Sequence, residues 1–113
     1  MPFIQVKTTA EIDSAKKAVL NDALCRITKE SLGKGENWIM TAYEDKASLC
    51  FQGSEENIAY VEVKAFGAPS AAGADKMTAG VCQLMEKELG IPVNRTYVSY
   101  WGTDKWGWNG GNF

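Results

Sequence analysis

The chain has 113 residues, 45% of them hydrophobic and 23% charged, enough for one core and too few for two. Its net charge is −2 and its 12 lysines and arginines are dispersed rather than striped, which excludes nucleic acid and anionic membrane as the main partner. Histidine is absent, which removes Ser-His and Cys-His nucleophile pairs and most zinc sites.

From the start of the chain, MPFIQVKTTAEID lacks the basic and apolar regions of a signal peptide, and no apolar run reaches the ~20 residues needed to span a bilayer. A cytoplasmic protein is expected, with any secretion by an unconventional route. Residues 2–8 alternate, Ile4 and Val6 on one face, and predict a strand. Residues 11–31 carry Ile12, Ala15, Val19, Ala23 and Ile27 at helical spacing, with Thr8-x-x-Glu11 resembling a capping box and Gly33 at the stop. A strand over 38–44 follows, and Cys50-Phe51 suggests a short extra one. Residues 58–66 alternate again through Val61, Val63 and Ala65. Residues 70–89 repeat the helical pattern with Ala74, Met77, Val81 and Leu84, Gly90 ends it, and a last strand covers 96–101. Cys25, Cys50 and Cys82 are odd in number and far apart, with no CxxC, so they read as small buried hydrophobes.

These elements are two copies of one unit. Shifted by 57 positions, residues 2–44 fall on 59–101 without a gap. Phe3-Ile4-Gln5-Val6-Lys7 matches Tyr60-Val61-Glu62-Val63-Lys64, Cys25 matches Cys82, Leu32-Gly33 matches Leu89-Gly90, Asn37 matches Asn94 and Tyr43 matches Tyr100. Right-handed crossovers make two βαβ units into a single α+β domain over 1–113, a two-layer sandwich in which a four-stranded mixed sheet carries both helices on one face. The other face, with Phe3, Gln5, Lys7, Tyr60, Glu62 and Lys64, is too apolar to leave bare and too polar for a dry core, and predicts a ring-like oligomer with these faces turned inward.

A duplicated fold keeps its scaffold in both copies, so departures from the repeat point to a site. Pro2 falls on Ala59 and Lys34 on Ile91, while the tail 102–113 has no counterpart. Taken singly each has an ordinary explanation. Proline is tolerated at a strand start, having no ladder donor to lose. A lysine suits a helix C-terminus. Trp106, Trp108 and Phe113 serve equally as a staple for the chain end or as the apolar wall of a pocket.

Together with Leu32-Gly33-Lys34, Phe66-Gly67, Gly90-Ile91-Pro92 through Arg95-Thr96-Tyr97, and Gly107-Trp108-Asn109-Gly110 before Phe113, Met1-Pro2 makes the whole chain resemble the macrophage migration inhibitory factor (MIF) and D-dopachrome tautomerase family of the tautomerase superfamily. The resemblance implies a homotrimer around a central channel, with a site at each subunit interface. It also implies cofactor-free keto-enol tautomerisation of phenylpyruvate-type acids and isomerisation of dopachrome-like compounds. Carried over, Pro2 is the catalytic base once Met1 is removed, and Lys34 holds the substrate carboxylate. Phe66, Trp106, Trp108 and Phe113 line the pocket, Tyr97 comes from a neighbouring subunit, and Ser99 stands where a substrate-binding asparagine is typical.

Phe66 and Trp106 replace aliphatic residues and predict a narrower, more aromatic pocket. Asn57-Ile58-Ala59-Tyr60 replaces a CxxC found in some members, so thiol oxidoreductase activity is not expected. The mechanism needs an amine that is unprotonated at neutral pH, which an apolar surround and the like charge of Lys34 would supply. The competing expectation is a secreted signalling or host-modulating protein that binds a receptor or host protein, with tautomerase activity incidental. A dehalogenase or decarboxylase reaction is a weaker rival, because it wants extra arginines and only Arg26 and Arg95 are present.

Overall fold

The computed structural model describes all 113 residues. In chain order they form β1 (Pro2–Thr8), α1 (Ser14–Leu32), β2 (Met40–Glu44), β3 (Ala59–Phe66), α2 (Ala71–Leu89), β4 (Thr96–Thr103) and a terminal hairpin of β5 (Gly107–Trp108) and β6 (Gly111–Asn112). Single turns of 3-10 helix at Glu36–Trp38 and Val93–Arg95 lead into β2 and β4.

The main sheet has the order β2-β1-β3-β4, with parallel outer pairs and an antiparallel centre where β1 meets β3. This is the four-stranded mixed sheet that two right-handed βαβ units predict. Alternation decides its faces: Ile4, Val6, Val61, Val63 and Ala65 are buried under the helices. Leu20, Leu24, Met77, Val81 and Met85 meet them from the helical layer, all fully buried. Side chains of this size contribute about 1.5–3 kcal/mol each when taken from water. Phe3, Gln5, Tyr60, Glu62 and Lys64 stay partly or fully exposed on the other face.

The two helices are 19 residues each and begin 57 positions apart, at Ser14 and Ala71. Asp13 and Ser70 cap them, each side chain accepting a backbone N–H three residues on, and Gly33 and Gly90 close them in the left-handed conformation. Tyr43 and Tyr100 reach from the sheet to matching positions on the helices. Tyr43 Oη donates to Asn21 Oδ1, and Tyr100 Oη pairs with Thr78 Oγ1 at 2.7 Å.

Four local expectations are corrected. The first helix starts at Ser14, not near 11, because the Asp13 carboxylate caps Lys16 N–H at 2.8 Å. Thr8 belongs to β1, where its hydroxyl donates to the Ile58 carbonyl at 2.7 Å, so Thr8-x-x-Glu11 is not a capping box. The buried stripe of α1 runs through Leu20, Ala23, Leu24 and Thr28, leaving Ala15 and Val19 exposed. Finally, Cys50 is exposed while Cys82 is buried, and Phe51 forms only an isolated bridge with Ser54 instead of a strand.

Candidate active site

The antiparallel register of β1 and β3 sets Pro2 opposite Ala65 at one end of the sheet. The ring lacks an N–H, so a strand can begin here without a missing ladder bond. One residue earlier, the Met1 carbonyl accepts the Phe66 N–H at 3.2 Å. The amino terminus is thereby held in the sheet and opens on a cavity of about 580 Å³.

The chain has four tryptophans, and all of them, Trp38, Trp101, Trp106 and Trp108, line this one cavity. Lys64 is the only charged side chain on its wall. A second cavity of about 280 Å³ lies between the end of α1 and the segment 66–70, and there Lys34 is the only charged side chain. The left-handed Gly33 turns the chain out of α1 and delivers Lys34, whose Nζ donates to the Phe66 carbonyl at 3.0 Å.

The tail joins the two cavities. Asn109 and Gly110 both have positive φ, 53° and 84°, as a two-residue type I′ hairpin requires. That turn folds β6 back on β5, and Phe113 N–H donates to the Trp106 carbonyl at 3.0 Å. A side chain at Gly107 would come within 2.8 Å of Asn112 Oδ1, which would have to swing aside. Phe113 then stacks on Trp108 (6.4 Å, 5°) and tilts onto Phe66 at 5.7 Å, while Trp38 meets Trp108 edge-on at 4.8 Å. An indole–phenyl wall therefore runs from the larger cavity to the Lys34 side.

The Met1 α-amine is held below its ordinary 8.0, first by desolvation and second by the positive charge of Lys34. Both effects disfavour the ammonium form. The Cys25 and Cys82 thiols are pushed up from 9.0, first by burial, which makes them poor nucleophiles.

Of the residues singled out from sequence, Pro2, Trp106 and Trp108 share the larger cavity, while Lys34 and Phe66 line the smaller one, bridged by Phe113. Tyr97 and Ser99 do not join them in the same chain. Pro2 is opposite Ala65, which pairs with Gly102, whereas Tyr97 pairs with Tyr60, five residues or roughly 16 Å back along β4. The Tyr97 ring packs edge-on against Phe51 at 5.0 Å, and Ser99 Oγ is 2.8 Å from Tyr60 Oη. Arg95 is fully engaged: it donates to the carbonyls of Phe51, Ser54, Glu56 and Asn57 and covers the Phe51 ring at 5.5 Å. It anchors the 51–57 loop rather than a substrate. Arg26 lines a groove between the two helices, away from Pro2.

Sequence reasoning missed Trp38, Trp101 and Lys64. Two of them were findable: at the 57-residue offset Trp38 falls on Arg95 and Trp101 on Glu44, the same kind of departure that marks Pro2 and Lys34. Lys64 falls on Lys7, so the repeat concealed it. No cluster of three or more His, Cys, Asp or Glu side chains forms a metal-binding arrangement.

The family model for macrophage migration inhibitory factor matches residues 1–113. The chain is 26% identical over 115 residues to the macrophage migration inhibitory factor of Xenopus laevis, covering 100% of this chain and 99% of that protein. Among solved structures, Leishmania major MIF2 superposes with a TM-score of 0.95 at 42% identity, covering 100% of this chain and 97% of that one. The macrophage migration inhibitory factor homologue of Prochlorococcus marinus gives 0.85 at 30% identity, with 98% of both chains covered. With the whole length matched and the sheet, helices and duplicated unit in common, the chain belongs to the macrophage migration inhibitory factor family and has the tautomerase-superfamily fold.

Proposed function

We propose that this protein is a cofactor-independent keto-enol tautomerase of phenylpyruvate-type acids and dopachrome-like compounds, with the Pro2 secondary amine as its base once Met1 is removed. The observation that carries this reading is the amino terminus itself. It opens on a cavity walled by four tryptophans, and burial and Lys34 lower the proton affinity of the Met1 amine there, an environment that the Pro2 amine would inherit. In a Met1-bearing chain the proline nitrogen is an amide and has no basicity, so the reaction requires the shortened chain.

In this reading Lys34 attracts the substrate carboxylate while Trp106, Trp108 and Phe113 hold the ring. Pro2 takes the enol hydroxyl proton and the resulting prolinium delivers it to the carbon beside the new carbonyl, the same steps in reverse giving the enol from the keto acid. Removal of Met1 also removes the carbonyl that now occupies the Phe66 N–H, leaving a backbone donor beside the amine for a substrate oxygen. The exposed sheet face supports a trimer in which Tyr97 and Ser99 of one copy reach the pocket of the next.

The test is ultraviolet observation of phenylpyruvate enol converting to the keto form on protein verified by mass to lack Met1. Activity is expected, and Pro2→Gly should lose most of it while keeping the oligomeric state. An inactive Met1-free protein, or a fully active Pro2→Gly variant, refutes the assignment.

A further inference from the structure

Three neighbouring residues of β3 frame the amino terminus. Ala65 pairs with Pro2, the Phe66 carbonyl holds the Lys34 ammonium, and Lys64 leaves the strand on the wall of the tryptophan cavity. Lys64 and Phe66 are two residues apart, about 7 Å of strand. Both cations are thus tied to the stretch of β3 that pairs with the start of β1, and each is the only charged side chain in its own cavity.

For a substrate with one carboxylate on Lys34 and its ring among the indoles, Lys64 is the one charged side chain on the wall of the ring's cavity. Within its own chain Lys64 is not strongly committed elsewhere. Its nearest carboxylate is Glu62 on the same strand at 3.7 Å, and the Lys64 side chain is 48% exposed. An ion pair of that length at that exposure is weak and readily exchanged for a better-placed anion. The Lys7–Glu44 pair, made by the equivalent lysine of the first repeat, lies at the other end of β1 and lines none of this cavity.

We infer that the cavity is built for a dianionic aryl keto acid, one carboxylate on Lys34 and a second, ring-borne acidic group on Lys64. Lys64 is then a specificity-determining residue, and aryl keto acids with a para-carboxylate are the preferred substrate class. The inference rests on the reading that substrate occupies the pocket at Pro2, and it deepens that reading.

The four indoles allow a test that does not depend on turnover. Quenching of tryptophan fluorescence is followed with two unreactive probes, 3-phenylpropanoate and its para-carboxy derivative, on the Met1-free oligomer. The para-carboxy probe is expected to bind roughly tenfold tighter, the size of one charge-assisted contact. That ratio should fall to about one in Lys64→Gln and persist in Lys64→Arg. In parallel, kcat/KM is compared for phenylpyruvate and para-carboxyphenylpyruvate, where the same ratio is expected. A wild-type ratio near one, or a ratio unchanged in Lys64→Gln, overturns the inference. Turnover of phenylpyruvate without any binding preference overturns it while sparing the Pro2 chemistry. A binding preference without turnover of either acid supports the anion site and counts against the tautomerase reading.

Discussion

Retention of Met1 is the most informative perturbation of this protein. One extra residue moves the chain's only α-amine by about 3.8 Å, the spacing of consecutive Cα atoms. Proton abstraction needs the reacting atoms about 3–3.5 Å apart, so that displacement takes the base out of range. The extra residue is also held rigidly, because the Met1 carbonyl accepts the Phe66 N–H at 3.2 Å and Met1 occupies the cavity wall. The Met1-bearing chain therefore loses its base and keeps a neighbouring donor blocked. Positioned general bases contribute about 10²–10⁴-fold, so the barrier should rise by about 3–5 kcal/mol. The comparison uses two preparations of one sequence: protein processed to begin at Pro2, and protein made with methionine aminopeptidase inhibited. Each is assayed for phenylpyruvate tautomerisation after its mass, oligomeric state and thermal midpoint are shown to agree with expectation. If the two forms differ by less than about threefold, Pro2 is not the base.

Other outcomes follow from the same geometry. Burial first and Lys34 second hold the Met1 amine below 8.0, and the same two causes should act on the Pro2 amine one residue on, so activity should rise with pH as that amine loses its proton, with a midpoint below that of a free proline amine. Lys34→Gln removes one of the two causes and should move that acid limb to higher pH, read from kcat/KM profiles; an unmoved limb contradicts the coupling. Arg95→Ala deletes donors to four carbonyls and should cost about 2–4 kcal/mol in urea unfolding, with Arg95→Lys restoring only part because a single ammonium cannot span them. The Tyr43 and Tyr100 hydroxyls are raised above 10.0, first by burial, so the fold favours their neutral form. That contribution is whole below pH 10 and fades as pH climbs through the raised values, which a series of urea midpoints from pH 8 to 11 would show. Gly110→Val puts a β-branched side chain at φ 84° and should open the tail hairpin, raising KM severalfold while leaving the thermal midpoint nearly unchanged, since 107–113 packs outside the core.

The fold was readable because its signals are redundant. Strand alternation in 2–8 and 58–66, glycines at 33 and 90, and the constant offset all require the same sheet and helices. Boundaries that rested on a single local motif fared worse. Thr8-x-x-Glu11 has the right spacing for a cap, but the Thr8 hydroxyl finds the Ile58 carbonyl 50 residues away, and a tertiary bond outweighs the local one. The helical stripe slipped for a related reason: Ala15 and Val19 are apolar and correctly spaced, yet Leu20 and Leu24 bury more surface against the sheet and set the rotation of α1.

The site follows a different logic from the fold, and the duplication explains it. Matching residues in the two units do matching structural work, as the Tyr43 and Tyr100 bonds to opposite helices show. A single pocket in a duplicated unit has to be made by breaking that symmetry, and Pro2, Lys34, Trp38, Trp101 and the tail all do so. The criterion fails at Lys64, where both copies carry lysine. Only the register of β3, with Pro2 at Ala65, distinguishes the lysine beside the amine from the one at the far end of β1. It fails for Tyr97 and Ser99 in another way: roughly 16 Å of β4 separates Tyr97 from the Pro2 level of the sheet, so no reading confined to one chain can unite them. If those two residues touch the substrate, a second copy must bring them there. Oligomeric state and Tyr97-dependent activity would then vary together with dilution.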